Sequence, residues 1–173
     1  MRLVRPAMAY ADEITTYRSE TLETAPYVNG AFELAGHPDP AAWIARCEAR
    51  TDPVTVPEGD VEADEWLMVN DDSRILGMTN IRRHIDDPFF AEYGGHIGYS
   101  IRPSERGKGY GTIQLTLALD KCRDLGLTSV LLTCDPDNEP SRRTILACGG
   151  VFDRTTIVTP EHPNPMDRYW ISL

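Results

Sequence analysis

Arg106-Gly-Lys-Gly-Tyr-Gly111 places three glycines at alternate positions with two cations, Arg106 and Lys108, among them. Glycine lets backbone adopt positive φ and approach a ligand closely. A helix that begins at such a run offers unpaired N–H groups and the positive end of its dipole. Together these suit a phosphate or pyrophosphate group. The spacing departs from two common phosphate loops. A P-loop needs G-x-x-x-x-G-K-[ST], whereas Lys108 is followed by glycine and no glycine precedes it at the required distance. A dinucleotide fingerprint needs G-x-G-x-x-G after the first strand, whereas this run reads G-x-G-x-G after the fourth strand candidate.

The elements around the run follow from periodicity. A short strand over residues 2–6 precedes a helix over about 10–23, with Ile14, Tyr17, Arg18 and Leu22 along one face. Residues 24–39 read as irregular, marked by Pro26, Asn29-Gly30, Gly36 and Pro38. Asp39 as N-cap and Pro40 at the first helical position open a second helix to about Arg50. Strand candidates over 65–70, 74–83 and 96–102 form an antiparallel meander, with Asp71-Asp72-Ser73 as a tight turn. Residues 109–125 make the strongest helix, carrying Leu115, Ala118, Leu119, Cys122 and Leu125 at helical spacing before Gly126. A nearly all-apolar strand over 129–134 reads as buried on both faces. A helix over 138–148 and strands over 151–158 and 167–173 complete the chain. The helical crossover from the fourth strand to the fifth implies a parallel, right-handed connection in a mixed sheet.

In that setting the run resembles the R/Q-x-x-G-x-G/A loop of the GCN5-related N-acetyltransferase superfamily. Gly98-Tyr-Ser-Ile-Arg-Pro103 precedes it, a long apolar helix follows, and Asn138-Glu-Pro-Ser141 comes after the next strand. The resemblance spans about residues 65–157, and the N-terminal strand and helices are compatible with it. It implies an α/β (α+β) acyl-CoA N-acyltransferase fold, a mixed, centrally splayed sheet flanked by helices. It also implies a single domain over 1–173, with acceptor-side elements in about 1–63 and an acetyl-CoA-binding core in about 64–157.

The resemblance implies acetyl-CoA as cosubstrate and transfer of its acetyl group to a primary amine in a ternary complex. Backbone N–H groups of Arg106, Gly107, Lys108, Gly109, Tyr110, Gly111 and Thr112 would hold the pyrophosphate. Free backbone near Tyr99, Ile101 and Arg102 would pair with pantetheine amides, as a strand pairs with a sheet edge. Asn138 and Ser141 match positions that reach the pantetheine arm, and Asn138 also reads as a helix N-cap. A backbone N–H near Ile101 would meet the oxyanion.

The pattern breaks at one place. Family members commonly carry a tyrosine seven residues after the matching asparagine, as acid for the departing thiolate; here that position is Ile145. Ser141, one turn earlier, is the remaining hydroxyl candidate. His96, Glu92 and His84 are the candidates for a base, and a histidine titrates in the right range. Because of Ile145, an acyl-CoA-binding sensor or regulatory module is the alternative to an enzyme.

Composition narrows the setting. The chain has 173 residues and a net charge of −10, nearly all of it in the first ninety residues, which carry 8 basic and 17 acidic side chains. This argues against nucleic-acid binding. It reads either as general solubility or as an acidic mouth for a small cationic acceptor. Four scattered cysteines lack metal-ligand or disulfide spacing, so we expect free thiols, no metal and a cytoplasmic protein. No apolar run or signal-like N-terminus points to a membrane. A homodimer through the terminal strands is compatible with the sequence.

Overall fold

The structure is a computed structural model and describes residues 1–173. Seven strands and four α-helices follow the expected order: β1 (Arg2–Val4), α1 (Ala11–Leu22), α2 (Pro40–Ala49), β2 (Ala63–Val69), β3 (Ile75–Arg82), β4 (Ile97–Ile101), α3 (Tyr110–Asp124), β5 (Ser129–Cys134), α4 (Glu139–Ala147), β6 (Val151–Thr155) and β7 (Asp167–Ser172). Helix α1 starts one residue later than its periodicity suggests, because Met8–Tyr10 forms a 3-10 turn. Asp39 caps α2 as expected, its carboxylate accepting from the Ala41 N–H at 3.1 Å, a contact worth about 1 kcal/mol.

The strands form two antiparallel sheets, ordered β1-β2-β3-β4 and β5-β7-β6. The fold is thus an α/β arrangement of a centrally splayed sheet flanked by helices. The turn at Asp71-Asp72-Ser73 holds because the Asn70 amide oxygen accepts from the N–H groups of Asp72 and Arg74. Where a parallel pair β4–β5 was expected, the two strands share no ladder. They are joined at one point: the His96 N–H donates to the Leu131 carbonyl at 2.7 Å. The Leu131 N–H donates to His96 Nδ1 at 3.0 Å. A side-chain nitrogen takes the place of a backbone carbonyl, so the ladder stops there and the strands diverge.

Two cores hold the layers. Ile14, Tyr17, Leu34, Trp43, Leu67 and Met78 fill the space between α1, α2 and the first sheet. On the other face, Ile81, Leu115, Leu119, Val130, Ile145 and Tyr169 join α3 and α4 to both sheets. Strand β5 is buried from Val130 to Leu132, consistent with its apolar sequence. Strand β6 ends at Thr155, three residues earlier than expected, and all five of its residues are exposed on the sheet edge.

Candidate active site

A cleft of about 510 Å³ lies along β4, closed by Asn29, the loop that enters α3 and the first turns of α4. Gly107 and Gly109 have φ of +76° and +80°, values that side chains with a Cβ rarely adopt. They turn the chain sharply into α3 with no side-chain cap. The N–H groups from Gly107 to Thr112 find no acceptor within the protein, whereas that of Arg106, expected among them, is committed to the Pro103 carbonyl at 3.3 Å. Gly111 lies where an added Cβ would come within 3.1 Å of Thr144 Oγ1 on α4, so the two helices approach closely here. A run of unmatched donors at the positive end of a 15-residue helix has the chemistry that suits an anion.

The facing wall comes from α4 and β4. Asn138 caps α4 by accepting from the Ser141 N–H at 3.2 Å. Ser141 Oγ lies 2.9 Å from the Tyr99 hydroxyl. Burial pushes the Tyr99 phenol up to about 12, so it is protonated at neutral pH. Cys134 is nearby on β5; burial pushes its thiol up to about 11, which leaves it neutral and unreactive. Arg106 turns back to donate from Nε to the Ile101 carbonyl at 3.2 Å.

Ten of the residues singled out in the sequence meet in this cleft: Tyr99, Ile101, Arg106, Gly107, Gly109, Tyr110, Gly111, Thr112, Asn138 and Ser141. Four do not. Lys108 points along the loop, its Nζ donating to Glu105 at 2.8 Å. Arg102 is fully buried, paired with Glu13 and Glu20 at 3.0 Å each. Its N–H is committed to the Leu76 carbonyl at 2.9 Å, so it has nothing to offer a pantetheine amide.

His96 and Glu92 need correction as candidate bases. The His96 Nδ1 already accepts from Leu131, so its neutral ring carries the proton on Nε2 and has no free lone pair to take another. Burial, with help from Arg82 and His84, pushes its pKa down to about 4. Glu92 is held by Arg154 at 2.6 and 2.7 Å and by Arg168 at 3.1 Å. The Arg154 hydrogen bond holds its carboxyl below the usual carboxylate range. Each ties structural elements together outside the cleft. His84 pairs with Asp86 at 3.3 Å on the surface.

The sequence reading missed Asn29, Ser100 and Thr144, which also line the cleft. Thr144 had a signal, one helical turn beyond Ser141. Asn29 had none that reached β4: its carbonyl accepts from Ser100 Oγ across 71 residues of sequence. Several acids of the first ninety residues are paired within the fold. Glu13 and Glu20 meet Arg102, Asp64 meets Arg5 and Arg83, and Glu33 meets Arg46.

Sequence and structure comparisons agree with this architecture. A family model for the acetyltransferase (GNAT) domain matches residues 2–151, and the chain belongs to that family. It is 30% identical over 159 residues to a mycothiol acetyltransferase of Sanguibacter keddieii, a match covering 83% of this chain and 50% of that protein. The chain thus spans about half the length of this curated relative. Two solved structures share its fold. Mycobacterium smegmatis RimJ in complex with CoA-disulfide superposes with a TM-score of 0.69 at 18% identity, covering 98% of this chain and 80% of that one. The ribosomal-protein-S5-alanine acetyltransferase of Vibrio fischeri gives 0.70 at 19% identity, covering 99% and 91%. No helix is long and apolar enough to cross a membrane.

Proposed function

We propose that this chain is an N-acetyltransferase that binds acetyl-CoA in the cleft along β4 and passes its acetyl group to a primary amine. The observation that carries this reading is the row of unmatched N–H groups from Gly107 into the first turn of α3, opening on that cleft. Those donors would hold the pyrophosphate. The edge of β4 around Tyr99 and Ile101, released from β5, would pair with the pantetheine amides, and Asn138 would reach the same arm while capping α4. A backbone N–H near Ile101 would face the oxyanion.

The Ser141 hydroxyl would lie toward the thioester and assist the departing thiolate directly or through water. With His96 and Glu92 occupied elsewhere, the amine would enter neutral and lose its proton to water. Holding both reactants in one cleft then supplies much of the rate. Elements within residues 1–63 would form the acceptor side, because Asn29 and Gly30 reach β4 from there. The remaining core, about residues 64–157, would hold acetyl-CoA. The acceptor is a small amine; the name of the curated relative puts a mycothiol-type acceptor on a panel with aminoglycosides, polyamines, amino acids and protein N-termini. Free thiols at all four cysteines suit a reducing cytoplasm.

A thiol-release assay with acetyl-CoA across that panel tests the reading. Release that depends on one amine, lost on Gly109→Val, is expected. Binding of acetyl-CoA with no release on any amine would favour an acyl-CoA-binding module, which the aliphatic Ile145 keeps as the second reading.

A further inference from the structure

The acetyltransferase reading leaves the departing sulfur without the helical tyrosine that many relatives place near it. Position 145 cannot supply help by rearrangement: Ile145 is fully buried in the core shared by α3, α4 and β5. A side chain on a helix leans toward the N-terminus and covers the preceding turn. A phenol carried at 145 would therefore bring its hydroxyl to the neighbourhood of Ser141, one turn earlier. The structure already has a phenol at that place, delivered from the opposite wall. The Tyr99 hydroxyl lies 2.9 Å from Ser141 Oγ, and the Tyr99 ring packs against the core, which fixes its direction.

We propose that Tyr99, reaching across from β4, donates the hydrogen bond that stabilises the departing coenzyme A sulfur, with Ser141 as the positioning residue that donates to the phenol oxygen. This rests on the acetyltransferase reading and adds a catalytic residue to it. The surroundings suit a donor. The Tyr99 hydroxyl meets Ser141 alone: Oγ at 2.9 Å and the Ser141 carbonyl at 3.5 Å, the latter too long to hold the phenol proton firmly. Thr144, one turn further along α4, spends its own proton on the Pro140 carbonyl at 2.9 Å. No carboxylate is there to take the phenol proton, and no cation is there to draw it off.

The step balances without an added reagent. The amine nitrogen bonds to the thioester carbon, and the carbon–sulfur bond breaks with its electron pair on sulfur. The nitrogen releases one proton to water, and the sulfur leaves as a thiolate hydrogen-bonded to Tyr99, which keeps its own proton. Water protonates the thiolate as it departs.

The test uses coenzyme A itself and needs no acceptor. The protein is titrated with base as its complex with CoA and as its complex with desulfo-CoA, and the difference in ultraviolet absorbance reports the thiolate alone. A hydrogen bond to the charged form lowers the midpoint of the bound thiol below that of free CoA, and Tyr99→Phe should raise it by about one pH unit, tenfold in thiolate fraction at a given pH. Ser141→Ala should raise it by less. Calorimetry with CoA accompanies each variant, so that every midpoint is read on the saturated complex. An unchanged midpoint in Tyr99→Phe overturns the proposal. So does a Tyr99→Phe protein that no longer binds CoA, since Tyr99 would then be an anchor. Failure of the unsubstituted protein to bind CoA would instead overturn the acetyltransferase reading, and this proposal with it.

Discussion

Gly109 ends the loop at φ +80° and leaves the first N–H groups of α3 without protein partners. A branched side chain there strains the backbone by about 1–3 kcal/mol and blocks a ligand's approach. Gly109→Val should lower the melting temperature and weaken CoA binding by more than about tenfold, read by calorimetry. His96 makes a second residue-level prediction. Its folded pKa of about 4 lies below the ordinary 6.5. Its contribution to stability is therefore complete above pH 6.5 and is lost as pH falls toward 4, when protonation ends the bond from Leu131. His96→Asn keeps an acceptor without a titration and should flatten the acid limb of a stability-against-pH curve between those values. The glycine loop was legible in the sequence because its logic is local. The work of His96 was not, because its partner lies 35 residues away and an imidazole that closes a strand reads the same as one that takes a proton.

The helices were equally legible. Asn138, Asp39 and the apolar spacing of α3 act within a few residues, so local pattern reports them. The splay was expected from family resemblance alone; its physical cause, a side chain ending the β4–β5 ladder, depends on two distant strands meeting. The segment between α1 and α2 was likewise read only as irregular, yet it forms part of the cleft. Gly30 sits against β4 with φ +68°, and an added Cβ would come 2.4 Å from Tyr99 Cα. Backbone cannot yield there as a flexible side chain could. Gly30→Ala should therefore push the segment off β4, costing about 2–4 kcal/mol. Denaturant unfolding checks the cost, and acceptor dependence of thiol release should weaken more than CoA binding does.

Across the whole molecule, the first sheet carries buried charge between β2, β3 and α2. Glu65 accepts from the Asn80 amide at 2.6 Å and from Arg50 at 3.4 Å, wholly shielded from solvent. Burial pushes its carboxyl up from 4.5 to about 7 despite these partners. Between those values the folded protein holds a proton that the unfolded chain has lost, so this group's contribution to stability falls as pH rises through that window. Glu65→Gln should remove that slope, measured as melting temperature against pH relative to the unsubstituted protein. The net charge of the chain gave no hint of this, because composition counts acids without saying which are paired inside. The segment between α1 and α2 meets the cleft at β4, where Ser100 Oγ donates to the Asn29 carbonyl. In the proposed function acetyl-CoA lies along β4 with its pyrophosphate at the start of α3. Amide hydrogen exchange with and without acetyl-CoA tests it most directly. Strong protection is expected in residues 107–112 and along β4, with weaker protection at 138–141. Protection absent from those segments, or confined to the separate cavity between Arg5, Ile44 and Thr51, would contradict it.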